Sequence, residues 1–407
     1  AQTLRTYSKH TFDYPYPVAI SIHSKWIGME YPMICFNGGR PESDGTYSER
    51  TKYGMISVII HEVGHNYFPM IINSDERQWT WMDEGLNTFL QFITEQDFQD
   101  DYPSRRGPAY KIVNYMKGNK NNISPIMINS ESIHQFGNNA YGKPATAMNI
   151  LRETIMGREL FDYAFKCYAN RWMFKHPSPE DLFRTMEDAS AVDLDWFWRG
   201  WFYTTDHVDI SIDNMKYYKI NTQNPSINKK NQEEKFIEIK QKDISNQRNS
   251  DNETYMDRDE KLKDFYTEYN PFEVTERDEK KYKKFKEGLS QNEKNILNED
   301  LNFYEIKFSN IGGLVMPIIL DFEFSDGTHE IQRIPAEIWQ VNNDKITKVF
   351  AFEKEIKQVE LDPFLETADT DRNNNYWPIK IEPSKFELYK FKDRHIKPSS
   401  NPMQKKK

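Results

Sequence analysis

The stretch Ile60-His61-Glu62-Val63-Gly64-His65-Asn66 decides how this chain is read. It closes an apolar run, Met55-Ile56-Ser57-Val58-Ile59-Ile60, and Pro69 follows, so residues 51–68 read as one buried helix ended by the proline. On a helix, positions i and i+4 lie one turn apart on the same face, which lets the imidazoles of His61 and His65 reach one ion. Glu62 points to the same side, close enough to touch a water on that ion. Polar groups in a buried helix need partners, because an unpaired one costs free energy. A metal ion supplies them; a hydrogen-bonded pair of core histidines is the bland alternative.

Zinc in a catalytic site takes three protein ligands and keeps a fourth position for water. After the two histidines, the third ligand should be a carboxylate or histidine on a neighbouring element. The next helix begins within Trp81-Met82-Asp83-Glu84-Gly85, where Glu84 follows His65 by 19 positions. Antiparallel helices joined by a loop bring this segment alongside His65, and on spacing alone Asp83 competes with Glu84.

Working outward, the second helix runs from about Asp83 to Asp97, with Leu86, Phe89, Leu90 and Ile93 on one stripe. Helical patterning continues through 105–118, 144–172 and 179–202, and the aromatic stretch Asp195–Tyr203 reads as helix-packing core. Upstream, residues 16–36 read as extended: Val18, Ile20 and Ile22 alternate with small or polar residues, the period of a half-buried strand. Residues 37–50 have the Gly, Pro and Asp-Gly chemistry of a loop. Beyond Asp206 the character changes. Residues 225–300 are rich in Lys, Glu, Asp and Asn and read as a solvated, partly helical connector. From Asn302 strand signals dominate: Tyr304, Ile306 and Phe308 alternate, as do Ile318, Leu320, Phe322 and Phe324 before the hairpin signal Asp326-Gly327. The expected class is α+β: a mostly helical domain over 1–206, a charged connector over 207–300, a small β-sandwich-like domain over 301–390 and a disordered tail over 391–407.

Composition sets outer bounds. A chain of 407 residues holds two or three domains, and 37% hydrophobic with 14% aromatic residues builds real cores. With 54 basic against 63 acidic side chains, the formal charge of −9 argues against nucleic acid as the main partner, since phosphate binding needs clustered Lys and Arg. Two cysteines, Cys35 and Cys167, exclude a disulfide framework and are no CxxC metal pair. The longest apolar runs, near Met55–Ile60 and Leu314–Leu320, are far short of a membrane span, and no signal-peptide pattern is visible.

A helix with HExxH, eighteen intervening residues and then a glutamate before glycine is similar to the zinc aminopeptidases of the alanyl-aminopeptidase and leukotriene-hydrolase family, which are gluzincin metallopeptidases. The resemblance implies one Zn2+ held by His61, His65 and Glu84, which selects Glu84 over Asp83, with Glu62 as the base. Asp83 stands where many members have Asn, and Asn66-Tyr67 where many have Gln-Trp. Gly28-Met29-Glu30-Tyr31-Pro32 resembles the family's GAMEN segment, with Tyr31-Pro32 in place of the usual Asn. This implies that the backbone of Gly28 and Met29 binds the peptide and that Glu30 binds its free amino group. Asn139-Ala140-Tyr141-Gly142-Lys143-Pro144-Ala145 resembles the family's Y-x-K-G-A segment, with Pro144 for Gly. The resemblance makes the Tyr141 hydroxyl the group that stabilises the tetrahedral intermediate.

The resemblance is strongest from about residue 16 to 205 and implies a thermolysin-like catalytic domain. Full-length members carry a large β-domain and further strands ahead of the HExxH helix, where this chain has 60 residues, so it implies a missing N-terminal part. The function expected is a metallo-aminopeptidase acting on peptides with a free N-terminus. The alternatives are a relative acting on an epoxide or another peptide class, and a non-catalytic scaffold. Arg105 and Arg106 read as surface arginines, with a substrate carboxylate as the functional alternative. The resemblance leans toward an exported, cell-envelope protein.

Overall fold

Helix α1 (Gln2–His10) leads into a three-stranded sheet of β1 (Ile20–His23), β2 (Gly28–Tyr31) and β3 (Ile34–Asn37). The computed structural model describes residues 1–25, 28–39, 41–263, 267, 269–299 and 301–380. The sheet order is β1-β3-β2; β1 runs parallel to β3, and β2 runs antiparallel to it with Glu30 opposite Cys35. All of β1 is exposed, and Val18, Ile20 and Ile22 keep 47%, 46% and 37% of their surface. The expected half-buried strand therefore exists without the burial. Alternation reports which side chains share a face, not whether anything covers it.

Ser48 caps α2 (Glu49–Gly64) by accepting from the Thr51 amide. Only Ile60–Gly64 of this helix are buried; residues 51–59 are half-buried, which corrects the expectation of a wholly buried helix. The helix also ends at Gly64, ahead of Pro69. A π-helical turn, Trp81–Gly85, runs directly into α3 (Leu86–Phe98), whose stripe of Leu86, Phe89, Leu90 and Ile93 is buried as expected. The helical expectation for 105–118 shrinks to a 3₁₀ turn and the one-turn α4 (Val113–Met116), because Gly107 takes φ 108° and Pro108 follows.

A second π-helical turn, Gly137–Gly142, leads into α5 (Lys143–Ile150), and α6 (Arg158–Trp172) starts after Gly157. A capping box at Ser178 and Asp181 opens α7 (Pro179–Ser190). In α8 (Asp195–Tyr203), Phe197, Trp198, Trp201 and Phe202 are core, as the sequence suggested. Both cysteines are free thiols. No described helix is long and apolar enough to cross a membrane.

The later strands are β4 (Ile210–Lys219), β5 (Asn302–Asn310), β6 (Ile318–Phe324), β7 (His329–Ile334), β8 (Lys345–Phe352), β9 (Ile356–Leu361) and β10 (Tyr376–Trp377). They form one sheet of order β10-β9-β6-β7 and one of order β4-β5-β8. Hairpin β6–β7 turns at Asp326-Gly327. The chain divides into two compact units. One holds the described residues of Ala1–Met215, of Ile306–Lys348 and from Ile356 on; the other holds those of Lys216–Glu305 and Val349–Glu355. Within the first, the strand-rich stretch joins the helical one: Thr370 donates its amide to Val208 O at 2.9 Å, and Ile210 to Asp369 Oδ2 at 3.2 Å. In the second, α9 (Pro225–Lys242), α10 (Ile244–Arg248), α11 (Tyr255–Arg258) and α12 (Glu276–Glu287) have no buried residue. The α+β class holds. The expected tail over 391–407 lies outside the described residues.

Candidate active site

His61 lies in the last turn of α2 and His65 caps its C-terminus, with ring centroids 4.5 Å apart, and their Nε2 atoms converge on one oxygen. Glu84 Oε2 lies 2.9 Å from His61 Nε2 and 3.4 Å from His65 Nε2. The other ring nitrogens are engaged elsewhere: His61 Nδ1 with Gln91 Oε1 and His65 Nδ1 with Phe68 O, each at 2.9 Å. If each Nδ1 carries the proton and donates, each Nε2 lone pair faces Glu84, which is the tautomer a metal ligand needs.

Ligand atoms of His61, His65 and Glu84 lie within 4.8 Å of one another. Two imidazole nitrogens and a carboxylate, each backed by an outer partner, are a donor set that fits zinc. Asp83, the competitor on spacing, sits behind rather than among these atoms. Its Oδ1 is 2.9 Å from His65 Nδ1, but that nitrogen is aligned on Phe68 O, so the oxygen has no hydrogen bond.

Electrostatics follows from burial. Burial alone would raise Glu84, but in the other protonation state, with a proton on Nε2, His61 and then His65 donate to it, which outweighs burial and holds the group far down, as a carboxylate. Burial lowers His61, which favours neutral imidazole. Glu62 is 6% exposed, and its Oε2 has no hydrogen-bond partner. Burial pushes its carboxyl up to about 7; His65 opposes the shift, while Glu30 and Glu84 add to it.

Glu30 arrives from β2, an outer strand of its sheet. Its carboxylate, Glu62 and His65 have ligand atoms within 4.8 Å of one another, and Glu76 and Asp83 lie equally close to Glu30. Tyr141 comes from the π-helical turn Gly137–Gly142: its hydroxyl donates to Glu84 Oε1 at 2.6 Å, and its ring stacks on His61 at 5.7 Å. Burial, then the charge of Glu84, push the phenol well above its ordinary value, so the hydroxyl keeps its proton and can donate.

Every site residue singled out in the sequence thus borders one cavity of about 470 Å³, with Gly28 and Met29 on the β2 side. The same cavity is lined by residues that sequence reading left aside. Gln91 lies seven positions after Glu84, on the same helical face, which is a signal that was legible. Glu95, Arg105 and Arg106 line it too; Arg106 is half-buried in the cleft wall, whereas Arg105 borders the cavity but stays exposed, as the sequence reading expected.

Comparison with known proteins points to one peptidase family. Residues 3–201 match the Peptidase family M1 domain. A probable aminopeptidase 1 of Sulfurisphaera tokodaii is 22% identical over 196 residues, covering 46% of this chain and 25% of its own length. Aminopeptidase N of Escherichia coli is 26% identical over 208 residues, covering 44% of this chain and 24% of its own. The chain therefore spans about a quarter of the length of these curated relatives. The crystal structure of Legionella pneumophila aminopeptidase A in complex with aspartic acid shares the fold, with a TM-score of 0.52 over 94% of this chain and 34% of that one, at 11% identity. The whole histidine–glutamate–tyrosine cluster falls inside the matched segment, and residues 3–201 form a domain of peptidase family M1.

Proposed function

We propose that the protein is a zinc-dependent metallo-aminopeptidase that removes the N-terminal residue from peptides, built on a thermolysin-like catalytic domain. The observation that carries this reading is the convergence of His61 Nε2, His65 Nε2 and the Glu84 carboxylate in a cavity that also presents Glu62, Tyr141 and Glu30. Zinc held by the first three side chains supplies Lewis-acid polarisation of a water molecule and of the scissile carbonyl.

The chain's own residues do the rest. Glu62, with one oxygen free of any hydrogen bond, takes a proton from the attacking water and delivers it to the leaving amine. The Tyr141 hydroxyl turns from Glu84 to the oxyanion as negative charge develops there. Glu30 pairs with the substrate's α-ammonium, and a charge-assisted bond at that point selects free N-termini. The substrate backbone adds as a strand along Gly28 and Met29 of β2. An exported, cell-envelope location is part of this reading, supported by the family resemblance.

The test is metal analysis together with hydrolysis of aminoacyl anilides and their N-acetylated counterparts. Stoichiometric zinc, chelator-sensitive cleavage and loss of cleavage on acetylation are expected. Cleavage that is indifferent to acetylation removes the exopeptidase assignment, and a metal-free active protein removes the whole reading.

A further inference from the structure

Helix α2 serves as a ruler along the cavity. Glu30 clusters with His65. One turn back along the helix stands His61, and another turn back Ser57 and Val58 also line the cavity. The segment after α3 docks at that end. Tyr102 Oη lies 2.8 Å from Ser57 Oγ and donates to Tyr53 O at 3.0 Å.

The same segment is pinned to α3. Ser104 Oγ donates to the buried Glu95 Oε2 at 2.5 Å, and Glu95 Oε1 also accepts from Ser57 Oγ and Gln91 Nε2. Gly107, at φ 108°, presses on Phe92 so closely that a Cβ there would meet Cγ at 2.3 Å. Between these fixed points Arg105 and Arg106 line the cavity. A side chain presented by a clamped loop is already partly ordered, which lowers the entropic cost of binding through it.

Arg106 places its guanidinium carbon 4.5 Å from the centre of the Tyr141 ring, beside the group assigned to the reacting carbonyl. Among the described residues, neither Arg105 nor Arg106 has an ion pair with a carboxylate. Burial pulls the Arg106 pKa down, while Tyr141 and Glu84 oppose the shift, and a guanidinium stays charged regardless. A half-buried, charged fork without a carboxylate partner among the described residues therefore stands beside Tyr141, on the loop that docks at the Ser57 end of the cleft.

We propose that Arg106, assisted by Arg105, binds a carboxylate one residue past the scissile bond. Two sources share this chemistry: the C-terminal carboxylate of a dipeptide, and the side chain of an Asp or Glu in second position of a longer peptide. The inference rests on the aminopeptidase reading, because anchoring the free amine at Glu30 sends the leaving portion of the substrate toward Ser57. A planar fork meets a carboxylate through two parallel N–H···O bonds, a geometry that lysine does not reproduce.

The experiment uses the zinc-loaded full chain carrying Glu62→Gln, with peptide binding followed by calorimetry. Four probes are compared: alanylglycine, alanylglycinamide, alanylglutamylglycinamide and alanylglutaminylglycinamide. At least one free-carboxylate probe is expected to bind about 10- to 100-fold more tightly than its neutral counterpart, and which one does so identifies the source. Adding Arg106→Gln should bring each pair to within about twofold, while Arg106→Lys keeps part of the preference because the charge remains without the fork. Equal affinities in the Arg106 protein overturn the inference, as does a preference that survives Arg105→Gln with Arg106→Gln. The Glu62-containing protein separates the two ideas. Hydrolysis of these peptides without any carboxylate preference sinks the arginine site alone, whereas a preference in binding with no peptide hydrolysed sinks the aminopeptidase reading, and with it the placement past a scissile bond, while carboxylate recognition by Arg106 stands.

Discussion

Gly85→Ala probes whether the spacing between two π-helical turns governs the candidate zinc site. Gly85 directly follows Glu84, and a Cβ on it would lie 2.5 Å from Pro144 Cγ, 2.8 Å from Pro144 Cβ and 2.9 Å from Ala140 O. Both obstacles are rigid, a prolyl ring and a backbone carbonyl, and they flank Tyr141. Restoring ordinary contact at 3.4 Å moves the Glu84 turn away from the Tyr141 turn by about 0.9 Å. Two stability effects oppose each other. Gly85 has helical dihedrals, φ −72° and ψ −46°, so alanine gains about 1 kcal/mol of helix propensity there. Overpacking costs about 1–3 kcal/mol. The net loss is about 0–2 kcal/mol, which leaves a folded protein to measure.

The effect on the site is larger, because the displacement opens the 2.6 Å hydrogen bond from Tyr141 to Glu84. Loss of a ligand's outer partner lowers metal affinity by about 10- to 100-fold. A shift near 1 Å in catalytic geometry costs about 100-fold in rate. Denaturant unfolding of the metal-free protein, zinc affinity by competition with a chelating dye, and kcat on an aminoacyl anilide read these separately. A folded Gly85→Ala protein with undiminished zinc affinity and turnover would refute the claim that contact between the turns sets the site.

Other outcomes follow from the same coordinates. Glu62→Gln should bind zinc stoichiometrically and lose turnover by at least about 100-fold, and near-normal activity would mean that another group moves the proton. Tyr141→Phe should lower kcat by about 100- to 1000-fold with little change in KM; a change confined to KM would place the hydroxyl in substrate binding instead. Lys143 is 1% exposed, donates to Thr204 O at 3.2 Å, and is pulled down by burial to about 7 from 10.5. Below about pH 7 the folded and unfolded states both carry the proton and the folded state bears the full cost of burying it. Between about 7 and 10.5 only the unfolded state stays protonated, so stability rises with pH by at most about 1.4 kcal/mol per unit. Urea unfolding of Lys143→Met across pH 7.5–9.5 should lack this component, and an unchanged slope would show that Lys143 is not its source.

Part of this protein could be read without coordinates because the signals are local. The i, i+4 repeat that brings His61 and His65 to one face is a property of any helix, as is the stripe from Leu86 to Ile93 buried along α3. The capping residues at Ser178 and Asp181 and the turn at Asp326-Gly327 likewise act within a few residues. Neighbouring carboxylates are different. Asp83 and Glu84 are equivalent on spacing, and the π-helical turn Trp81–Gly85 directs one to the Nε2 atoms and the other to the Nδ1 side of His65. The added residue of such a turn shifts register by a packing choice that helical periodicity does not encode.

The sequence by itself determined the HExxH helix, the helical stripe behind it and the α+β class, since backbone geometry and apolar periodicity act over one or two turns. Tertiary structure alone decided that the Tyr141 hydroxyl meets Glu84, that Arg105 and Arg106 border the cleft, and that Val18, Ile20 and Ile22 are exposed. Those outcomes depend on contacts between residues tens of positions apart. They are fixed by how the π-helical turns, the clamped loop after α3 and the edge of the small sheet meet other elements, and no local pattern records such meetings.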